Sequence, residues 1–299
     1  MRLFYRSSRK NNGLNPKGRE LARDAPKGEF LFRRPMTKGK VYLVGAGPGD
    51  PELLTVRAVR TLGLADVVLH DALVSLEVLA LISPHARTIN VGKRCGQKSI
   101  TQDELNHLLV RFATSGETVV RLKGGDPLIF GRAGEELDAL QRAGVEVEIV
   151  PGVTAALAAA AKVRASLTDR RTADQLLVIS AHRQHGKESS NWHTLVTSRT
   201  TFVIYMPGNY AEVATDLSRA GLKRSTPCAI VSRVSRPDEQ WHQTTLGLLP
   251  RAPALPSPCV LIVGEALNMA AAPELRSLCL QGIPFQGEYP QTSASLDQG

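Results

Sequence analysis

The sequence is poor in cysteine, has no long apolar run and, over most of its length, carries no net charge. Its four cysteines, Cys95, Cys228, Cys259 and Cys279, lie far apart. None forms a CxxC pair, which argues against a zinc site or disulfide framework and fits four reduced thiols. No stretch of 18 residues is apolar and uncharged, so no membrane-spanning helix and no membrane partner are expected. The N-terminal segment lacks the apolar stretch of a secretory signal, so the expected location is the cytoplasm.

The formal net charge of the 299 residues is +9, from 37 basic and 28 acidic residues. Residues 1–40 hold twelve of the basic and three of the acidic residues, and so account for the whole excess. The remaining 25 of each sign cancel, so the folded body is neutral and no nucleic-acid partner is expected. Residues 1–38 are rich in Arg, Lys, Asn, Gly and Ser, too polar to bury a core. They read as a solvated extension, with a polyanion-binding arm and a transit-type segment as the alternatives.

From residue 41 the composition changes. VYLVG (41–45), DVVLHD (66–71), TINVGK (88–93), TVVRLK (118–123) and VEVEIV (145–150) read as strands. Between them lie helical patterns: ELLTVRAVRTL after Pro51, a capping box from Thr101 to Glu104, and a helix near 132–143. Strands alternating with helices predict a parallel α/β sheet. PGVTAALAAAA (151–161) reads as a turn into a small-residue helix. The alternation then resumes with QLLVIS, TFVIYM, CAIVS and CVLIVG, and with AEVATDLSRAG as a helix. The expectation is therefore two α/β domains, 39–152 and 153–283, followed by a polar tail at 284–299, with no internal repeat.

Five segments carry chemistry. Gly45-Ala46-Gly47-Pro48-Gly49-Asp50 follows a strand and approaches the dinucleotide pattern GxGxxG, but aspartate stands at the third glycine. That position needs glycine for helix–strand packing, and a carboxylate there faces a pyrophosphate, so a nicotinamide cofactor is disfavoured. Asp71 ends a strand, where open α/β sheets bind ligands; a helix cap is the structural alternative. Val91-Gly92-Lys93-Arg94 places two cations at another strand end, suited to carboxylates or to solvent. In Arg121-Leu122-Lys123-Gly124-Gly125-Asp126-Pro127, two cations suit an anionic substrate and two glycines admit close backbone approach. Asp126 in the same segment suits a cationic ligand. Pro151-Gly152-Val153-Thr154-Ala155-Ala156 suits an adenosine-sized group or a tightly packed linker helix.

Taken together, VGAGPGDPELLT, HDALVS, VGKR, RLKGGDPLIFGRAGEE and VPGVTA resemble the tetrapyrrole methylase family in order and spacing. The resemblance spans about residues 40–265, and KGGDP with VGKR points to the branch acting on uroporphyrinogen. It implies two α/β domains with the ligands between them, usually in a homodimer. The implied reaction moves two methyl groups from S-adenosylmethionine to ring carbons of uroporphyrinogen III, a tetrapyrrole polycarboxylate. The products would be precorrin-2 and two S-adenosylhomocysteines, feeding sirohaem or cobalamin biosynthesis. It implies Asp71 as proton acceptor and Lys93 as proton donor, with Arg121 and Asp50 holding or activating substrate. Pro48, Gly124, Gly125, Asp126, Ile129, Thr154, Ala155, Met206 and Val234 would form the cofactor pocket, and no metal is needed. Four places depart from the pattern: LTDRRT from residue 167, SAH at 180–182, Pro207 after Met206, and SRVS at 232–235. All four lie in the second domain.

On this reading the basic extension takes no part in catalysis. Removing residues 1–36 is expected to leave thermal stability and turnover nearly unchanged. A loss of turnover beyond about tenfold at unchanged stability, roughly 1.4 kcal/mol of transition-state energy, would place the segment against substrate.

Overall fold

The computed structural model describes residues 38–92, 100–181, 196–197 and 199–269. Strands β1 (Lys40–Gly45), β2 (Val67–His70), β3 (Arg87–Asn90), β4 (Val119–Lys123) and β5 (Glu146–Val150) form one sheet. Their order is β3-β2-β4-β1-β5 and every pairing is parallel. The expected parallel sheet is thus present, with four predicted strands in place to within a residue; β3 ends at Asn90, short of the expected 93.

Both faces of this sheet are covered, which is why its central strands β2, β4 and β1 are buried almost throughout, with Arg121 and Lys123 the charged exceptions on β4. One face packs Val41, Leu43, Val67, Leu69 and Val119 against helices α3 (Gln102–Thr114) and α4 (Ala133–Arg142). The other packs Val44, Val68, Val120 and Leu122 against α1 (Val56–Gly63) and α2 (Leu76–Leu79). The capping box expected at α3 is formed: the Thr101 hydroxyl accepts from the Glu104 amide, and the Glu104 carboxylate accepts from the Thr101 amide at 2.7 Å. The stretch after Pro51 differs from the expected single helix. Asp50 caps a short 3-10 turn over Pro51–Leu53, Leu54 is extended, and Thr55 then caps α1 afresh. Two side chains able to accept from backbone amides within five residues break the helix into two starts.

The second sheet contains β6 (Gln175–Ser180), β7 (Thr200–Tyr205), β8 (Pro227–Ser232), β9 (Gln240–Thr245) and β10 (Cys259–Val263) in the order β6-β7-β10-β8-β9. Only β6 and β7 pair in parallel; the other pairings are antiparallel. Helix α5 (Ala155–Lys162) packs Ala156, Ala159 and Ala160 onto one face, where small side chains bring its backbone close to the strands. Helix α6 (Tyr210–Arg219) covers the other face with Val213, Ala214 and Leu217. Strand β9 has no counterpart in the sequence reading, because QWHQTT is an edge strand without an apolar run. Among the described residues, no helix is long and apolar enough to cross a membrane.

Parallel pairing sends the loops after β1, β2, β4 and β5 to one edge of the first sheet. Three of them touch backbone to backbone. A Cβ on Gly45 would lie 2.6 Å from Gly152 Cα, and one on Gly152 would lie 2.4 Å from the Gly125 carbonyl oxygen. No side chain fits either gap without moving a loop. Gly152→Ala is expected to destabilise the fold by about 1–3 kcal/mol, as overpacking of a tight contact does. Urea unfolding of both proteins would measure the difference.

Candidate functional site

The site is assembled from the loops at this edge. Gly47 and Gly125 exchange backbone hydrogen bonds of 3.2 and 2.7 Å, and the Ala46 amide donates to the Lys123 carbonyl at 2.7 Å. Both glycines sit at φ +67°, the left-handed region that side chains avoid. The sequence reading expected close approach of a ligand at 124–125; the first partner of that backbone is the GxG loop itself. A Cβ at Gly125 would still meet nothing nearer than Thr154 Cα and the Ala155 amide at 3.9 Å, so space remains beside it.

That space is bordered by apolar groups. Leu73 Cβ would lie 3.4 Å from a Cβ at Gly124. Phe130 stacks at a tilt on Tyr205, with ring centroids 5.1 Å apart. The Tyr205 hydroxyl accepts from the Ala156 amide at 2.9 Å and shares a 2.5 Å hydrogen bond with Thr154. Burial pushes this phenol above its ordinary pKa, so it is a neutral hydrogen-bonding group at physiological pH. Leu73, Leu128, Ile129, Phe130 and Met206 are all exposed, and Phe130 and Met206 adopt left-handed backbone at φ 50° and 49°. Strained backbone and exposed apolar side chains concentrated on the loops are features of ligand sites.

Asp126 lies at the base of the space, and both its oxygens are engaged. Oδ1 accepts from the Leu128 amide at 2.8 Å, and Oδ2 from the Gly152 amide at 3.0 Å. Its first duty is therefore to fix two loops. Asp50 likewise uses Oδ1 to cap the Glu52 amide at 2.9 Å, while its own amide donates to Ser235 Oγ at 3.1 Å. Ser235 belongs to the loop after β8, so the second sheet reaches the first through SRVS. The next residue strengthens this contact: Arg236 Nη2 donates to the Leu73 carbonyl and its stem covers Gly49. Ser75 completes the set by donating to the Gly49 carbonyl at 2.6 Å. Pro48 is buried beneath these loops, and the Val234 side chain is buried in the second core.

The charged centre stands at the ends of β2 and β4. Alternation along β4 turns Val119, Arg121 and Lys123 toward α3 and α4, and Val120 and Leu122 toward the opposite face. Arg121 is 4% exposed and donates from Nη2 to Asp71 Oδ1 at 2.5 Å, from Nε to Glu136 Oε1 at 3.0 Å, and from Nη1 to the Leu69 and Leu122 carbonyls. Asp71 remains partly exposed, with its side chain at 29%. Lys123, expected to meet an anionic substrate, is instead 1% exposed and donates to Glu136 Oε1 at 2.9 Å. Burial and the neighbouring Arg121 charge both lower its pKa. Glu136, with no exposed surface, was not singled out in the sequence. Its signal is the spacing: it shares the buried stripe of Ala133 and Leu140 on α4, an apolar position occupied by a carboxylate. Lys93 lies outside the described residues. Among the described residues no cluster of His, Cys, Asp or Glu is placed to hold a metal.

These features define an α/β protein with glycine-rich loops meeting at the carboxyl edge of a parallel sheet, exposed apolar side chains on those loops, and a paired carboxylate at the end of β2. The family described as tetrapyrrole (corrin/porphyrin) methylases matches residues 40–250. The chain is 48% identical over 238 residues to a uroporphyrinogen-III C-methyltransferase of Paracoccus denitrificans, covering 78% of this chain and 83% of that protein. It is 43% identical to a sirohaem synthase of Yersinia enterocolitica over 87% of its own length, and spans about half of that longer relative (53%). The Thermus thermophilus uroporphyrin-III C-methyltransferase, solved with S-adenosylhomocysteine, superposes with a TM-score of 0.69 at 39% identity, covering 79% of this chain and 96% of that one. The chain belongs to the tetrapyrrole methylase family.

Asp126 offers a direct test of the loop geometry. Asparagine has a single carbonyl oxygen, so in either orientation its amide nitrogen faces one of the two backbone amides. Asp126→Asn is expected to lower stability by about 1–3 kcal/mol through that unmade hydrogen bond. Chemical denaturation in urea would show it, and an unchanged midpoint would mean that water replaces the lost acceptor.

Proposed function

We propose that this chain is an S-adenosylmethionine-dependent methyltransferase that adds two methyl groups to ring carbons of uroporphyrinogen III, yielding precorrin-2 and S-adenosylhomocysteine. The observation that carries the reading is the Asp71–Arg121 pair, partly exposed beside the glycine-lined cleft, in a chain of this family. The cleft suits the methyl donor. Space beside Gly125, the exposed Ile129 and Met206, and the small Thr154 and Ala155 fit an adenosine with a sulfonium chain. Pro48, Gly124, Asp126 and the backbone at Val234 would complete that pocket. When bound, S-adenosylmethionine supplies an electrophilic methyl group on a positively charged sulfur.

The protein's own part is placement and proton transfer. Methyl transfer to a ring carbon leaves the pyrrole system one positive charge richer, so a proton must leave from elsewhere in that conjugated system, and a positioned base lowers that barrier. Asp71 is the group placed for this. Arg121 holds it in one orientation, and this fixing of a reacting group is itself a source of rate. Lys93 takes the proton-donor role, and Asp50 orders the adjoining loop against substrate. We further assign residues 39–152 and 153–283 to two domains, with 1–38 and 284–299 as extensions. The working form is a homodimer in the cytoplasm, on the sirohaem or cobalamin route.

Asp71→Asn keeps the shape of the side chain and removes its basicity. Turnover of uroporphyrinogen III is expected to fall by roughly 10²–10⁴-fold, the usual worth of a general base. Calorimetric titration with S-adenosylhomocysteine should give near wild-type affinity, since Asp71 lies outside the proposed donor pocket. Normal precorrin-2 formation by this variant, read by mass spectrometry, would remove Asp71 from the base role.

A further inference from the structure

Glu136 has no place in the roles above, yet it is the most enclosed charged group at the site. It is 0% exposed, it lies one helix away from the cleft, and its Oε1 accepts from both Arg121 and Lys123. Its second oxygen, Oε2, is buried without a hydrogen-bond partner. Stability does not explain such a group. Buried ion clusters are commonly neutral or worse against apolar replacements, and a half-used carboxylate adds a desolvation cost. Buried unsatisfied atoms call for another explanation, and a catalytic role is one of the recognised ones.

We infer that Glu136 is a positioning residue for methyl transfer: it sets the Arg121 guanidinium against Asp71 and balances the second buried cation, Lys123. Two features support this. The first is geometric. Arg121 is held along three edges, by Glu136 at Nε, by the Leu69 and Leu122 carbonyls at Nη1, and by Asp71 at Nη2. The Nε contact is one of the three that fix the planar fork toward Asp71, so weakening it loosens the fork while the Nη1 contacts keep the positive charge beside Asp71. The second is the charge count. Arg121 and Lys123 oppose Asp71 and Glu136, so the cluster is neutral when all four are ionised. Among the described residues, the neighbouring titratable groups on the same elements are the buried His70 on β2, whose Nδ1 meets the Asp71 carbonyl oxygen, and Glu135 at the start of α4. Glu135 pairs at the surface with Arg132, which Asp103 on α3 also faces. The inference rests on Asp71 being the base.

Three variants separate charge from structure. Glu136→Gln preserves shape and leaves a net positive charge beside Asp71. That charge favours an ionised carboxylate, so the acid limb of the kcat/KM profile is expected to move to lower pH. Turnover should also fall by roughly ten- to a hundred-fold, as for a displaced reacting group. Affinity for S-adenosylhomocysteine should stay within about twofold, a change under 0.5 kcal/mol. Lys123→Met leaves a net negative charge and should move the limb to higher pH. The double variant restores neutrality and should bring the limb back toward wild type. If Glu136→Gln does not fold, the difference between Lys123→Met and the double variant reads the same charge. Folded variants whose acid limbs coincide would overturn the inference. Asp71→Asn keeps the two failures apart: if it loses turnover while the limbs coincide, only the role of Glu136 falls; if it turns over normally, the base assignment falls with it.

Discussion

The contact on which this molecule depends is the meeting of three backbones at Gly45, Gly125 and Gly152. Parallel strands deliver their loops to one edge, but nothing in parallel pairing makes those loops touch. Here they do, because no Cβ intervenes. The Gly47–Gly125 exchange of hydrogen bonds and the grip of Asp126 on the Gly152 amide close the triangle. The meeting point of these loops is therefore built of backbone, and side chains stand only around it.

Against this rigid base stands an expensive polar cluster. Lys123 and Glu136 are fully buried, and Arg121 nearly so. Desolvation alone would drive such charges toward neutrality, and it lowers the Lys123 pKa. Their mutual pairing holds the arrangement together. One consequence is an ordered guanidinium with a single free-facing edge, directed at the only partly exposed member, Asp71. The cost of the cluster is thus borne away from solvent, while the group that meets the cleft stays accessible. The division resembles that of active sites generally, where a reacting residue is oriented by one that never touches substrate.

Much of this architecture is legible in the sequence. The inner strands β1 and β2 announce themselves as short apolar runs because both their faces are covered, and α3 carries its capping box in plain form. The clustering of Asp71, Arg121, Gly125 and Thr154 at one edge follows from their places at strand ends. Other features are hidden for physical reasons. β9 pairs through backbone, and its polar side chains carry no apolar signal. The break between Pro51 and Val56 depends on two local caps outcompeting one longer helix. The cations of β4 look alike in sequence, yet they share one buried partner on α4, a long-range contact that no strand pattern contains. Asp126 invites an electrostatic reading, and only the fold supplies the two amides that occupy it.

The places where the second half departs from the family pattern bear on the same question. Two of them, SRVS and LTDRRT, make defined contacts. In SRVS, Ser235 receives the Asp50 amide, and Arg236 just beyond it reaches the Leu73 carbonyl and covers Gly49. Arg233 and Ser235 both adopt left-handed backbone, φ 49° and 58°, a cost that the cross-sheet contacts offset. In LTDRRT, Arg171 binds Asp169 with two guanidinium hydrogen bonds, which hold that carboxyl at a pKa of about 2 and keep the turn charged and closed at neutral pH. None of these contacts involves Asp71, Arg121 or Glu136. The second sheet therefore acts mainly through the rim: it fixes the loops carrying Asp50 and Leu73 over a base that the first sheet builds alone.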